Sequence, residues 1–141
     1  MGRVPALAAM AACLSVLALG AAASEAPFAG TRWRLVALGE APVVVADAAR
    51  APHLVFAAEG GRISGSDGCN RVLGAYALDG ARLSVSGLAA TRMACTDGME
   101  QAAAFARALG ATAGHRIAGD RLELLDESGR VVARLEAEPP R

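Results

Sequence analysis

Leu73-Gly74-Ala75-Tyr76-Ala77-Leu78 and Arg82-Leu83-Ser84-Val85 flank Asp79-Gly80, residue types that tolerate the positive φ of a tight turn. The stretch reads as a β-hairpin, and the same theme recurs on either side of it. Upstream, His53 to Phe56 and Arg62 to Ser64 are short runs joined by Ala58-Glu59-Gly60-Gly61, a second hairpin. Further upstream, Arg32-Trp33-Arg34-Leu35-Val36-Ala37-Leu38 places Trp33, Leu35 and Ala37 on one side and two arginines on the other. That is the period of two expected of a half-buried strand. Gly39 to Pro52, with two prolines, reads as a loop. Downstream, Gly114 to Ala118, Arg121 to Leu125 and Arg130 to Leu135 form a meander, with turns at Gly119-Asp120 and at Asp126-Glu127-Ser128-Gly129. The expected fold class is therefore mainly β within α+β: a small antiparallel barrel of about eight strands, a closure that removes exposed edges.

Between hairpin and meander the period changes. Over Thr96 to Gly110, Met99, Ala102, Ala103, Ala106 and Leu109 recur at three and four residue spacing, with Phe105 beside them. One amphipathic helix of about three turns is predicted, started by Asp97 with Glu100 reaching back and ended by Gly110. Its apolar stripe is expected to cover the sheet.

The hairpin is bracketed by Gly65-Ser66-Asp67-Gly68-Cys69-Asn70 and Thr91-Arg92-Met93-Ala94-Cys95. Ser64, Ser66, Asp67 and Asn70 bring hydroxyl, carboxylate and amide together, but no Gly-x-Ser-x-Gly elbow is present, and the glycines and Asp67 read as a turn into the next strand. Asn70 is expected to hydrogen-bond nearby backbone, Thr91 to tie down the chain and Met93 to pack.

The N-terminus reads as an address. Met1-Gly2-Arg3 is a positive n-region, Val4 to Leu19 is apolar and uncharged, and Ala21-Ala22-Ala23 precedes Ser24, so cleavage is expected after Ala23. The protein is then exported, to the periplasm or beyond the cell. The alternatives are an uncleaved anchor or lipidation at Cys13, although the apolar run continues past Cys13. The organisation becomes 1–23 leader, 24–30 linker, 31–136 domain and 137–141 tail, in line with one domain for 141 residues. Fourteen basic and fourteen acidic residues cancel, and loss of Arg3 with the leader leaves the remainder one unit negative. Nothing in that balance favours nucleic acid or anionic lipid.

In an oxidising compartment, Cys69 and Cys95 are the cysteines left after cleavage, and an even count favours a disulfide. Closing a loop of roughly 27 residues is worth about 3 to 4 kcal/mol in the chain-entropy model. Two separate buried thiols remain an open reading. A redox-active pair is a third, although it lacks the Cys-x-x-Cys spacing that tunes thiol pKa. His53 and His115 could join the cysteines around zinc, but their spacing matches no ligand-pair pattern and both begin apolar strands. No metal, cofactor or catalytic set is assigned.

Ile63-Ser64-Gly65-Ser66, Gly68-Cys69-Asn70-Arg71, Gly74-Ala75-Tyr76, Leu88, Thr91-Arg92-Met93-Ala94-Cys95, then Glu100, Phe105 and Leu109, together resemble the META domain family, whose members include the heat-shock protein HslJ. Trp33 and Phe56 match its opening strands, so the resemblance spans Thr31 to about Leu135. It implies a lipocalin-like small barrel with one helix, and the motif residues Gly65, Gly68, Cys69, Asn70, Gly74, Tyr76, Thr91, Met93, Cys95, Glu100, Phe105 and Leu109. It also implies an envelope protein linked to stress or drug tolerance, often a lipoprotein; Cys13 lacks that context here.

The expected function is that of a non-enzymatic, monomeric envelope domain that binds a small apolar ligand or a protein partner. Membrane association is compatible with this and not required. An envelope hydrolase or thiol oxidoreductase using Cys69 and Cys95, and a protein-interaction or inhibitor module, are the alternatives.

Overall fold

The computed structural model describes residues 2–5, 24–93 and 95–139. The expected leader, with Cys13 and the Ala21 to Ala23 cleavage site, lies outside the described residues except for residues 2–5.

Among the described residues, nine strands and one α-helix follow one another: β1 (Arg32–Leu38), β2 (Ala41–Pro42), β3 (His53–Phe56), β4 (Arg62–Ser66), β5 (Arg71–Asp79), β6 (Arg82–Ala90), α1 (Met99–Ala111), β7 (Gly114–Ala118), β8 (Arg121–Leu125) and β9 (Val131–Ala137). All pairings between strands are antiparallel, in the order β2-β1-β3-β4-β5-β6-β7-β8-β9, and β9 returns to pair with β1. The sheet is thus a ring with β2 added on the edge of β1. The expected mainly-β antiparallel class with one helix is what the chain adopts.

The ring has a thin seam. β6 and β7 share a single residue pair, Arg82 with Gly114, supported by the Leu83 amide on the Ala113 carbonyl at 3.1 Å and the His115 amide on the Ala81 carbonyl at 3.0 Å. Beyond it β6 has no strand neighbour on this side, and α1 packs against β6, β9 and β1.

Alternation fills the interior. Trp33 and Leu35, Leu54 and Phe56, Leu122 and Leu124, Ala133 and Leu135 are each no more than 1% exposed, as successive inward positions of β1, β3, β8 and β9 should be. With Ile63, Leu83, Phe105 and Leu109 they form one core, so the ring is packed with its own side chains.

Several boundaries differ from expectation. Ala41–Pro42, read as loop, pairs with Ala37 and Leu38. β5 and β6 are nine residues each, longer than their apolar alternation, because a hairpin with one exposed face continues for as long as backbone pairing does. Of the presumed linker, Ala26 donates to the Gly119 carbonyl at 2.8 Å, Gly30 to the Phe56 carbonyl at 2.8 Å, and Trp33 Nε1 to the Phe28 carbonyl at 3.0 Å. Phe28 then stacks on Phe56, ring centroids 4.3 Å apart. The presumed tail is held as well: Ala137 ends β9, Glu138 donates its amide to the Arg32 carbonyl at 2.9 Å, and its carboxylate meets Arg32 Nε at 2.8 Å.

The helix starts at Met99 and not at Asp97; Gly98, at φ +86, is the cap residue and no side chain caps the end, so the Asp97–Glu100 capping box is absent. Gly110 lies within the last turn, and Thr112 Oγ1 donates to the Ala108 carbonyl at 2.9 Å. The buried face is Ala102, Phe105, Ala108 and Leu109, whereas Met99 is 50% exposed and Ala103 and Ala106 face outward. Phe105 is the centre of the stripe, since the sheet below selects which of several apolar faces is covered.

Candidate functional site

The turn between β4 and β5 and the segment after β6 meet at one rim of the ring. Asp67 organises the turn: its Oδ1 accepts from the Cys69 amide at 2.9 Å and the Asn70 amide at 2.6 Å, and its own amide donates to the Asn70 carbonyl at 3.0 Å. Ser66 Oγ accepts from the Gly68 amide at 3.1 Å. Two glycines are required here. Gly68 has φ +96, and a Cβ on Gly65 would lie 2.0 Å from the His53 carbonyl oxygen of the neighbouring strand.

Asn70 carries the tie across the rim. Its Oδ1 accepts from the Met93 amide at 2.7 Å and from Thr91 Oγ1 at 3.1 Å. Thr91 Oγ1 accepts in turn from the Arg71 amide at 3.1 Å, and the Thr91 amide donates to the Arg71 carbonyl at 3.1 Å. Asp67 and Asn70 are each 8% exposed, so their oxygens meet obligations that water cannot reach. Cys69 and Cys95 are bonded, Cα atoms 6.0 Å apart, and staple the same two segments covalently.

Gly65, Gly68, Cys69, Asn70, Thr91, Met93 and Cys95 therefore converge, and the hydroxyl, carboxylate and amide groups of 66–70 are occupied by backbone. Met93 departs from its expected role: its side chain is 50% exposed, and what it contributes is its amide. The other motif residues lie elsewhere. Gly74 sits at the β5–β6 register shift. The Tyr76 hydroxyl donates to the Ala57 carbonyl while its ring meets Phe56 edge-on at 5.3 Å. Phe105 and Leu109 are in the core.

Beside the staple is a cleft of about 710 Å³. Val44, Val45 and Asp47 form one wall, the segment from Cys95 to Gln101 the other, and Asp67, Gly68 and Pro52 also line it. Val44 is 78%, Val45 39% and Met99 50% exposed. Glu100 lies on this lining. Sequence reasoning passes over the Val44–Asp47 wall and Gln101; the available signal was three consecutive valines, Val43-Val44-Val45, in a stretch read as loop. A smaller space of about 110 Å³ lies between the helix and β5–β6, bounded by Val72, Leu88, Ala102 and Phe105.

His53 begins β3 and His115 is the second residue of β7, both near the start of a strand as expected. His53 Nδ1 lies 3.1 Å from the Ala51 carbonyl. His115 stacks at 5.0 Å on Phe28, and burial holds its pKa below the ordinary value despite a backbone hydrogen bond to Ala81. Among the described residues no group of three or more His, Cys, Asp or Glu side chains is gathered for a metal.

The META domain profile matches residues 26–139, which takes in the docked N-terminal segment, the ring and the rim. The chain belongs to the META domain family. A protein from Burkholderia xenovorans solved by NMR is similar in fold at 27% identity and a TM-score of 0.62, over 80% of this chain and 85% of that one. A second NMR structure is 27% identical with a TM-score of 0.59, covering 75% and 87% of the two chains. A DUF4847 family protein from Bacteroides vulgatus, known from a crystal structure, is alike in fold, with a TM-score of 0.60 at 15% identity over 81% and 96%. No curated protein matches the chain.

Proposed function

We propose that this META-domain chain is a non-enzymatic, exported domain of the cell envelope that binds a small apolar ligand or a protein partner in the cleft beside the Cys69–Cys95 bond, in the service of stress or drug tolerance. One observation carries the reading. The ring is filled by Trp33, Phe56 and the leucines around them, whereas the outer cleft keeps Val44, Val45 and Met99 partly in water. Exposed apolar side chains lining a concavity mark a binding surface. The staple and the Asn70 bonds hold one wall of that cleft in place, so less ordering is needed on binding. Export follows from the leader read in residues 1–23, and an oxidising compartment suits the disulfide.

Native mass spectrometry on protein purified without reductant from the envelope of the producing cell tests this reading. The expected species begins at Ser24, is two hydrogens light and carries a non-covalent adduct that is lost when Val44 and Met99 are changed to Asp. Retention of residues 1–23, free thiols, or a bare chain that also cross-links to no recurring envelope protein overturns it.

A further inference from the structure

The carboxamide of Gln101 engages both main-chain polar groups of Val44. The Val44 amide donates to Oε1 at 2.9 Å, and Nε2 donates to the Val44 carbonyl at 3.0 Å. Val43 points the opposite way, its amide donating to the Val36 carbonyl of β1 at 3.0 Å. Neighbouring residues of a strand alternate in this manner, so the chain beyond β2 continues extended and presents an outer edge at Val44. Exchange of both bonds with one residue is what an added antiparallel strand makes at a hydrogen-bonded pair. A single glutamine side chain fills that place, in an exposed position, where a strand would bring a row of bonds.

The surroundings say what such a strand would carry. Val44, Val45 and Met99 offer apolar surface along the edge. Asp47, Asp97 and Glu100 line the same cleft, with Arg50 as the one basic side chain of that lining. None of these four takes part in an ion pair among the described residues. Carboxylates flanking an open strand edge complement arginine or lysine, and alternate side chains of an extended segment fall on opposite faces.

We infer that the cleft takes an extended segment of a partner protein in which basic and apolar residues alternate, added as a strand along Val44 in place of the Gln101 carboxamide. This rests on the binding reading of the cleft and names its occupant.

The probe is a fluorescein-labelled hexapeptide alternating arginine and valine, titrated by anisotropy against the full oxidised chain. Two further peptides carry N-methyl groups on one or the other set of alternate amides. Saturable binding is expected, weakened about tenfold or more by one N-methylated set and little by the other. Gln101→Ala removes the intramolecular competitor and is expected to tighten binding about threefold. Asp97→Asn combined with Glu100→Gln is expected to weaken it and flatten its salt dependence. Equal affinity for both N-methylated peptides, or weaker binding to Gln101→Ala, overturns the strand-addition inference. If the peptide fails while an anilinonaphthalene dye binds and Val44→Asp abolishes its binding, the occupant is wrong and the cleft reading stands; if neither binds, both fall.

Discussion

Inside the ring, stability is spread over many similar apolar contacts; at the rim it depends on a few acceptors and one covalent bond. Leu122, Leu124, Leu135, Trp33 and Phe56 share a single core, whereas two segments of the rim are joined through Asn70 Oδ1, Thr91 Oγ1 and Cys69–Cys95. The interior is therefore specified by pattern and volume, and the rim by the chemistry of individual atoms. An interior position tolerates a hydrophobe of the same size. A rim position tolerates almost nothing else, because a lost acceptor strands a donor.

The largest effect is expected in the interior. Phe56→Ala removes a fully buried ring that also packs on Phe28 and meets Tyr76 edge-on, and should cost about 3 to 5 kcal/mol in urea unfolding; Phe56→Leu should recover most of it. If both substitutions cost the same, the interior is as atom-specific as the rim and the contrast fails. Next, replacing Cys69 and Cys95 together by Ala should lower stability by about 3 to 4 kcal/mol, seen as a drop of roughly 15 °C in Tm. Near-native Trp33 fluorescence below the new Tm would show that the core outlives the staple.

Asn70→Ala should cost about 1 to 3 kcal/mol. A double-mutant cycle with Thr91→Val should be non-additive, since both act on one network; additivity would mean that the rim bonds work independently. The smallest effect concerns pH. The folded pKa of His115 lies below the ordinary 6.5, with burial as its main cause, so folding favours the neutral ring. That contribution is present above the unfolded value and is lost as pH falls through the folded one. The urea midpoint should therefore decline on acidification through the histidine range, and His115→Phe should flatten that decline. An unchanged slope would exclude His115 as its source; a further loss at lower pH, below the histidine range, belongs to carboxylates such as Glu123. There burial raises the pKa, but hydrogen bonds and charge from Arg116 and Arg134 together hold it below normal.

How much the sequence reveals follows the same division. Alternation in Arg32–Leu38 and Arg121–Leu125 exposes the inward faces directly, because one buried side forces a period of two. That Asn70 ties to Met93, 23 positions on, and not to nearby backbone is hidden, whereas the turn chemistry of residues 65–70 is readable, since short acceptors beside glycines have few other uses. The opposite wall of the cleft is not. Val44 and Gln101 are 57 residues apart, and no local pattern announces a side chain that imitates a strand. Met99 reads as core by spacing, yet the sheet turns Phe105 inward and leaves Met99 outside. Phe28 reads as linker because a single aromatic residue carries no period; its place is set by Phe56, Tyr76 and His115 together.

The pairing of β1 with β9 brings together residues such as Arg34 and Glu136, 102 positions apart along the chain. Every neighbouring pair in the ring that excludes β9 can form while the polypeptide is still incomplete, but this one, like β8–β9, has to wait for the last strand. Contacts of such separation form late and slowly. Until Val131–Ala137 is available, β1 and β8 keep free edges and the ring stays an open ribbon. The last strand is thus the clasp of the ring, and a copy cut short before Val131 would be a template for edge-to-edge aggregation.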